Sequence, residues 1–251
     1  MKKMLIRADD LGYSKAVNYG IFESIHSGII NNVGVMVNME ATSHGLNLIK
    51  KENVDLGLHT VICAGRPLTN PKDISSIVDE RGFFKNSSTY RSANKDFVNL
   101  DEVMIEIEAQ YQRFIQLIGR KPDYFEGHAV ASQNFVKGMK MIAKKHKAPY
   151  LPFAFGTKVT FKNTTLMPVM ESMEENYQPQ ATFFKAVSLS SESSENIPMM
   201  ICHPGYLDEY ILEHSSLKIP RVKEVEMLCA AETKEACQKQ KIKLIRYSEL
   251  T

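Results

Sequence analysis

Several easy assignments are closed off by what the chain lacks. Its four cysteines, Cys63, Cys202, Cys229 and Cys237, include no CxxC pair. That removes a zinc ribbon and leaves four free thiols as the expectation for a cytosolic protein. No apolar run approaches the about 18 residues of a membrane helix. The opening Met1-Lys2-Lys3-Met4-Leu5-Ile6-Arg7 holds no apolar stretch of signal-peptide length. A cytoplasmic protein without a membrane partner is expected. An excess of one charge is also missing: 31 Lys and Arg against 29 Asp and Glu leave +2. So small a charge gives no reason for a nucleic-acid partner. Thirteen Gly and ten Pro exclude collagen-like and low-complexity chains. Neither GxGxxG nor GxxxxGK[ST] occurs. The phosphate loop that usually follows the first strand of a doubly wound sheet is therefore absent.

What is present is an ordinary globular mixture, 43% hydrophobic and 24% charged over 251 residues, enough for a large core in one α/β domain. Strand-like and helix-like runs alternate. Residues 3–8 read as a strand ending at Asp9-Asp10. Ser14 caps a helix with Val17, Ile21 and Ile25 on one face, and Gly28 stops it. Residues 33–37 read as a second strand, 41–52 as a short helix, and 55–62 as a third strand carrying His59. Residues 64–99, rich in Pro, Asn, Ser and Gly, read as a loop insertion over one end of the fold. Asp101 then caps a helix with Val103, Ile107, Tyr111, Phe114 and Ile118 on one face, ended by Gly119. Further strands are expected at 123–125, 150–155, 182–187, 199–202 and 243–247, with helices at 136–147 and 220–240. Residues 190–194 form a Ser/Glu-rich connector without an assigned role. The alternation predicts a single domain spanning 1–251, a TIM-like (β/α) barrel of seven strands or distorted.

In such a barrel the reacting groups sit at the carboxyl ends of the strands. Four strand ends carry candidates: Asp9 and Asp10; His59; Glu126 and His128; and His203 in Cys202-His203-Pro204-Gly205. Each has a plainer reading, as a turn, a helix cap or a core histidine, and their joint placement on one barrel face is what points to chemistry. Two histidines and a carboxylate suit a divalent metal with positions left open for water and substrate. A second carboxylate can take the proton from that water. His26, His44, His146 and His214 fall on helices or polar segments and are read as solvated.

Arg7-Ala8-Asp9-Asp10-Leu11-Gly12-Tyr13-Ser14, Gly57-Leu58-His59 and Ile201-Cys202-His203-Pro204-Gly205-Tyr206-Leu207-Asp208 resemble the motifs of the YdjC-like carbohydrate deacetylases. Residues 221–228 and 244–250 resemble that family's closing helix and strand. The resemblance implies hydrolysis of an N-acetyl group from a chitobiose-type sugar, phosphorylated or not, in a metal-dependent barrel that is often a homodimer. It implies one divalent ion, Mg2+ or Zn2+, on Asp10, His59 and His128, with Asp9 as the base. His203, the strand-end histidine left over, is then the acid for the leaving nitrogen. Two alternatives stand beside this: a metal-dependent hydrolase or isomerase of another phosphorylated sugar, and a non-catalytic sugar-binding protein. The chain departs from the family pattern Asp-x-His-x-His-x-His, reading Glu126-Gly127-His128-Ala129-Val130-Ala131-Ser132. It also has Tyr150-Leu151-Pro152 where family members often place an arginine. All these altered positions are expected to line the pocket.

Overall fold

The computed structural model describes residues 1–153, 156–192 and 196–251. Its framework is one sheet of eight strands: β1 (Lys2–Leu11), β2 (Asn32–Val35), β3 (Asp55–Thr60), β4 (Tyr124–Gly127), β5 (Val159–Phe161), β6 (Thr164–Val169), β7 (Asn196–Cys202) and β8 (Ile242–Ile245). Seven lie in the order β4-β3-β2-β1-β7-β6-β5, and β8 pairs with the start of β1. All pairings are parallel except β5 with β6. The helices are α1 (Lys15–His26), α2 (Thr42–Ile49), α3 (Ser87–Ser92), α4 (Leu100–Ile118), α5 (Gln133–His146), α6 (Pro179–Leu189), α7 (Glu209–His214), α8 (Ile219–Cys229) and α9 (Ala231–Lys239). None is long and apolar enough to cross a membrane.

The sheet is strongly curled. Three strand spacings of about 4.8 Å would hold β1 and β4 about 14 Å apart in a flat sheet. Instead Arg7 of β1 reaches Glu126 of β4 at 3.4 Å. The two edges, β4 and β5, do not pair among the described residues, so the barrel is incomplete. Tyr247, just after β8, packs in the gap, with ring centroids 4.0 Å from Tyr124 and 5.2 Å from Phe161. Strand alternation sorts the core in two. Leu5, Tyr124, Met199, Ile201 and Ile245 join Tyr247 in an inner cluster. Met4, Ile6, Ala8, Phe125, Met200 and Cys202 belong to the larger cluster that includes the helices. Arg7 and Asp9 have the inward parity of Leu5, which puts them on the barrel interior.

Four expectations need correction. Residues 182–187 are not a strand but the middle of α6, where Phe183, Ala186 and Val187 are buried at helical spacing after Pro179 in the first turn. A short apolar run cannot distinguish the two by periodicity. The missing strand pair is the β5–β6 hairpin, whose two-residue turn holds Lys162 at φ 52°. The helix expected over 220–240 breaks into α8 and α9 at Ala230, which has extended ψ of 140°. Asn99, not Asp101, caps α4: its side chain accepts from the N–H groups of Asp101 and Glu102. Of 150–155, Tyr150 makes a single bridge to Phe125, and residues 154 and 155 lie outside the described residues. The 190–194 connector extends in part beyond them too. Residues 64–99 supply Arg81, Asn86, Ser87, Ser88 and Arg91 to the lining of a large cavity. They carry α3 and are fastened by Glu106, whose carboxylate accepts from the N–H groups of Leu68 and Thr69.

Candidate active site

Strand parity alone would point Asp9 inward and Asp10 outward. Asp10 instead adopts a left-handed φ of 76°, and the β1–β2 register shifts between Ala8 and Leu11. Gly12, at φ 106°, completes the turn. Both carboxylates thereby face one cavity of about 710 Å3, within the roughly 300–1,000 Å3 of small-molecule sites. His59, Glu126, His128 and His203 line it as well, so all the strand-end candidates meet.

Asp10 Oδ1 lies 3.2 Å from His59 Nε2 and 3.1 Å from His128 Nδ1, and the two nitrogens are 2.9 Å apart. Donors about 2.1 Å from one ion and at right angles to each other stand about 3.0 Å apart, so this triangle has the size of one face of an octahedral site. The donor chemistry therefore fits a divalent cation. Two of the three candidate donors are held from behind. His59 Nδ1 bonds Glu126 Oε1, which turns Nε2 toward the triangle. Asp10 Oδ2 accepts from Arg221 Nη2 at 2.7 Å. Burial would raise the Asp10 pKa, but Arg221 and His128 hold it well below the usual carboxylate range. Burial would lower the pKa of His128, but Asp10 lifts it to about 9. Glu126 is likewise held below its ordinary value, burial being outweighed by His59 and Arg7.

Asp9 differs from Asp10. Its Oδ2 accepts from Arg7 Nη2 at 2.8 Å, while its Oδ1 is buried with no partner among the described residues. Burial raises its pKa, and Arg7 only partly offsets this. Gly34 of β2 makes room for it: a Cβ there would sit 2.9 Å from Asp9 Oδ1 and 3.3 Å from the His59 Cβ. His203 follows β7 with its Nδ1 buried and unpartnered among the described residues. Burial pushes it down to about 4.

A family profile described as YdjC-like protein matches residues 3–239. The chain belongs to the YdjC-like family. A relative named carbohydrate deacetylase, from Clostridium beijerinckii, is 30% identical over 254 residues, 99% of this chain and 100% of that one. The chitooligosaccharide deacetylase of Escherichia fergusonii is 27% identical, with 98% of each chain covered. Among solved structures, a candidate cellobiose-phosphate cleavage protein of Enterococcus faecalis V583 superposes with a TM-score of 0.85 at 23% identity, covering 100% of this chain and 99% of that one. A family 4 acetyl xylan esterase of Clostridium thermocellum, in complex with a cobalt ion, gives 0.54 at 8% identity, with 99% and 89% covered. These two share the fold.

The departures from the YdjC-like pattern fall in two groups. Val130 and Ser132 do not line the catalytic cavity, contrary to expectation. Ala129, at φ 53°, turns the chain after His128, and Val130 enters the core at 1% exposure. Ser132 caps α5 and donates to Asp96 of the 64–99 segment at 2.9 Å. Both border a separate cavity of about 230 Å3 beside that segment. Leu151 and Pro152, by contrast, do line the catalytic cavity. His214, read as solvated, is exposed but lies at the same cavity's rim. Sequence reasoning missed Arg7, Arg221 and the buried Glu224. Arg7 carried a signal, since it shares strand parity with Asp9. The other two arrive from α8, inside the 221–228 family match, but nothing there marked their side chains as part of the site.

Proposed function

We propose that this chain is a metal-dependent carbohydrate deacetylase that removes an N-acetyl group from a chitobiose-type oligosaccharide. The observation that carries the reading is the Asp10–His59–His128 triangle beside the unpartnered Asp9 Oδ1 in a substrate-sized cavity. The names of its relatives, carbohydrate deacetylase and chitooligosaccharide deacetylase, agree with it. A divalent ion held by Asp10, His59 and His128 would polarise the amide carbonyl and acidify a water. Two nitrogens and a carboxylate suit zinc, while a shell completed by water suits magnesium.

Asp9 is the base. Arg7 fixes its Oδ2, its free Oδ1 takes the water proton, and burial raises its affinity for that proton. Glu126 holds His59 in the tautomer that presents Nε2. His203 protonates the leaving nitrogen, which would otherwise depart as a costly anion. Burial holds its pKa down to about 4, so the proton it passes to the nitrogen is the one Asp9 removed from the water in the cavity they share, and Asp9 returns to the carboxylate. Arg81 and Arg91 line the outer wall, which suits an anionic group and extends the substrate range to phosphorylated sugars. We expect a homodimer, readable by sedimentation.

The test is metal analysis of protein purified without chelator, with acetate release measured on N,N'-diacetylchitobiose, its phosphate and a panel of other acetylated sugars. Stoichiometric divalent metal and acetate from the chitobiose compounds are expected. Metal-loaded protein that binds these sugars but releases no acetate would make it a sugar-binding protein instead.

A further inference from the structure

The His203 ring has no side-chain partner on Nδ1 among the described residues, so no hydrogen bond of that kind sets its direction. Its backbone is held instead. The His203 N–H donates to Glu224 Oε2 at 2.5 Å, and its carbonyl accepts from Arg221 Nη1 at 3.3 Å. Arg221 and Glu224 are three residues apart on α8 and so share one helix face. One helix thus grips both sides of the residue. Pro204 narrows the His203 backbone further. Gly205 packs directly on α1, where a Cβ at Gly20 would come within 2.5 Å of the Gly205 Cα.

Glu224 is fully buried, and its other oxygen, Oε1, accepts from the Tyr177 hydroxyl at 2.7 Å. A buried carboxylate is costly unless its oxygens are satisfied. Here one partner is a peptide N–H next to the reacting cavity, where an apolar residue with a satisfied backbone elsewhere would be the simpler solution. We propose that Glu224 is a positioning residue: by holding the peptide of His203, it aims the imidazole at the leaving nitrogen. This rests on His203 being the acid of the proposed deacetylation.

The test compares two substrates. N,N'-diacetylchitobiose needs its leaving amine protonated, whereas p-nitrophenyl acetate expels a stable anion and does not. A displacement of about 1 Å can cost about 10²-fold in a step that depends on orientation. Glu224→Leu should therefore lower kcat on diacetylchitobiose by about 10- to 100-fold, and by less than about threefold on the ester. Metal content should not change. Glu224→Gln keeps an acceptor for the His203 N–H and should stay within about threefold of the unaltered protein on both substrates. In a His203→Ala background, Glu224→Leu should add less than about threefold, because its effect runs through the ring already removed.

Equal losses on both substrates, or a full further loss in the His203→Ala background, would show Glu224 to be structural only and overturn the proposal. If Glu224→Leu does not fold, Tyr177→Phe frees Glu224 Oε1 and must give a smaller loss on diacetylchitobiose alone. No such selective loss overturns the proposal as well. If His203→Ala itself loses activity equally on both substrates, the acid assignment fails, and Glu224 falls with it. The single His203→Ala comparison thus separates the two failures.

Discussion

Asp9→Asn separates two carboxylates that are adjacent in sequence and have opposite environments. The substitution keeps the shape of the side chain, and the amide oxygen can still accept from Arg7. Arg7 is not orphaned, because Glu126 lies 3.4 Å away and the Tyr247 hydroxyl 3.5 Å. What is lost is the proton-accepting Oδ1. General base catalysis contributes typically about 10² to 10⁴ in rate, or about 2.7 to 5.4 kcal/mol of barrier. The kcat for acetate release should fall by that factor. Metal affinity, read by titration calorimetry, should stay within about threefold, because the ligand oxygen is on Asp10 and is anchored by Arg221.

Stability should move the other way. Burial outweighs Arg7 at Asp9 and raises its pKa in the folded state. A carboxylate raised in this way contributes stability that is complete at low pH and is lost as pH rises through the folded pKa. Asn has no such dependence. Metal-free Asp9→Asn should therefore melt no lower than the unaltered protein near pH 7, and its advantage should grow as pH rises above the ordinary carboxylate range. Loss of metal on Asp9→Asn would show that the two aspartates share or exchange roles. A kcat within tenfold of the unaltered protein would refute Asp9 as the base.

Three further outcomes are expected. His59→Ala should weaken metal binding by at least about 10- to 100-fold, since it removes a donor outright; full occupancy by elemental analysis would refute the triangle as the metal site. Gly34→Ala should cost about 1–3 kcal/mol by thermal melting, because its Cβ would intrude on Asp9 and His59, and it should lower kcat more than it lowers metal affinity. Burial raises Glu224 to about 7 although it accepts from Tyr177 and His203. Its stability is therefore present at low pH and lost as pH rises toward and through about 7. Glu224→Gln should flatten the melting-temperature profile of metal-free protein over that window, by an amount on the order of 3 kcal/mol. An unchanged profile would place the titration elsewhere.

The strand ends were legible because β1, β3 and β7 are apolar runs that stop at a charged or imidazole side chain, and parallel barrels gather such ends on one face. Asp9, Asp10, His59, His128 and His203 could be named from that pattern together with the family motifs. Period-2 alternation could also have delivered Arg7. The left-handed turn at Asp10 could not be read, because the tolerance of a non-glycine residue at φ 76° depends on Arg221 and the two histidines around its carboxylate. Glu224 falls inside the 221–228 family match, but nothing there pairs it with Tyr177, 47 positions away. The 182–187 run failed for the opposite reason: its apolar residues are real core residues, but their periodicity in so short a stretch is shared by strands and helices.

The altered histidine motif shows why a motif position and a site position are different things. In Glu126-Gly127-His128-Ala129-Val130-Ala131-Ser132 the strand ends at Gly127, and the chain reverses at Ala129, where the Val130 N–H reaches the His128 carbonyl at 2.6 Å. That tight turn is what directs His128 inward and sends Val130 into the core. An imidazole at 130 would face the apolar neighbours that Val130 now fills, and burying it without a partner would be unfavourable. Ser132 is committed in a different way, its hydroxyl capping α5 and reaching Asp96. Asp96 also accepts from the N–H of Asn134, so this one carboxylate joins the 64–99 segment to the start of α5. The absence of the two histidines thus leaves the Asp10–His59–His128 triangle whole, and the position of the second serves to anchor the segment that walls the cavity. The same segment brings Arg81 and Arg91 to the wall of the larger cavity, away from Asp10, His59 and His128.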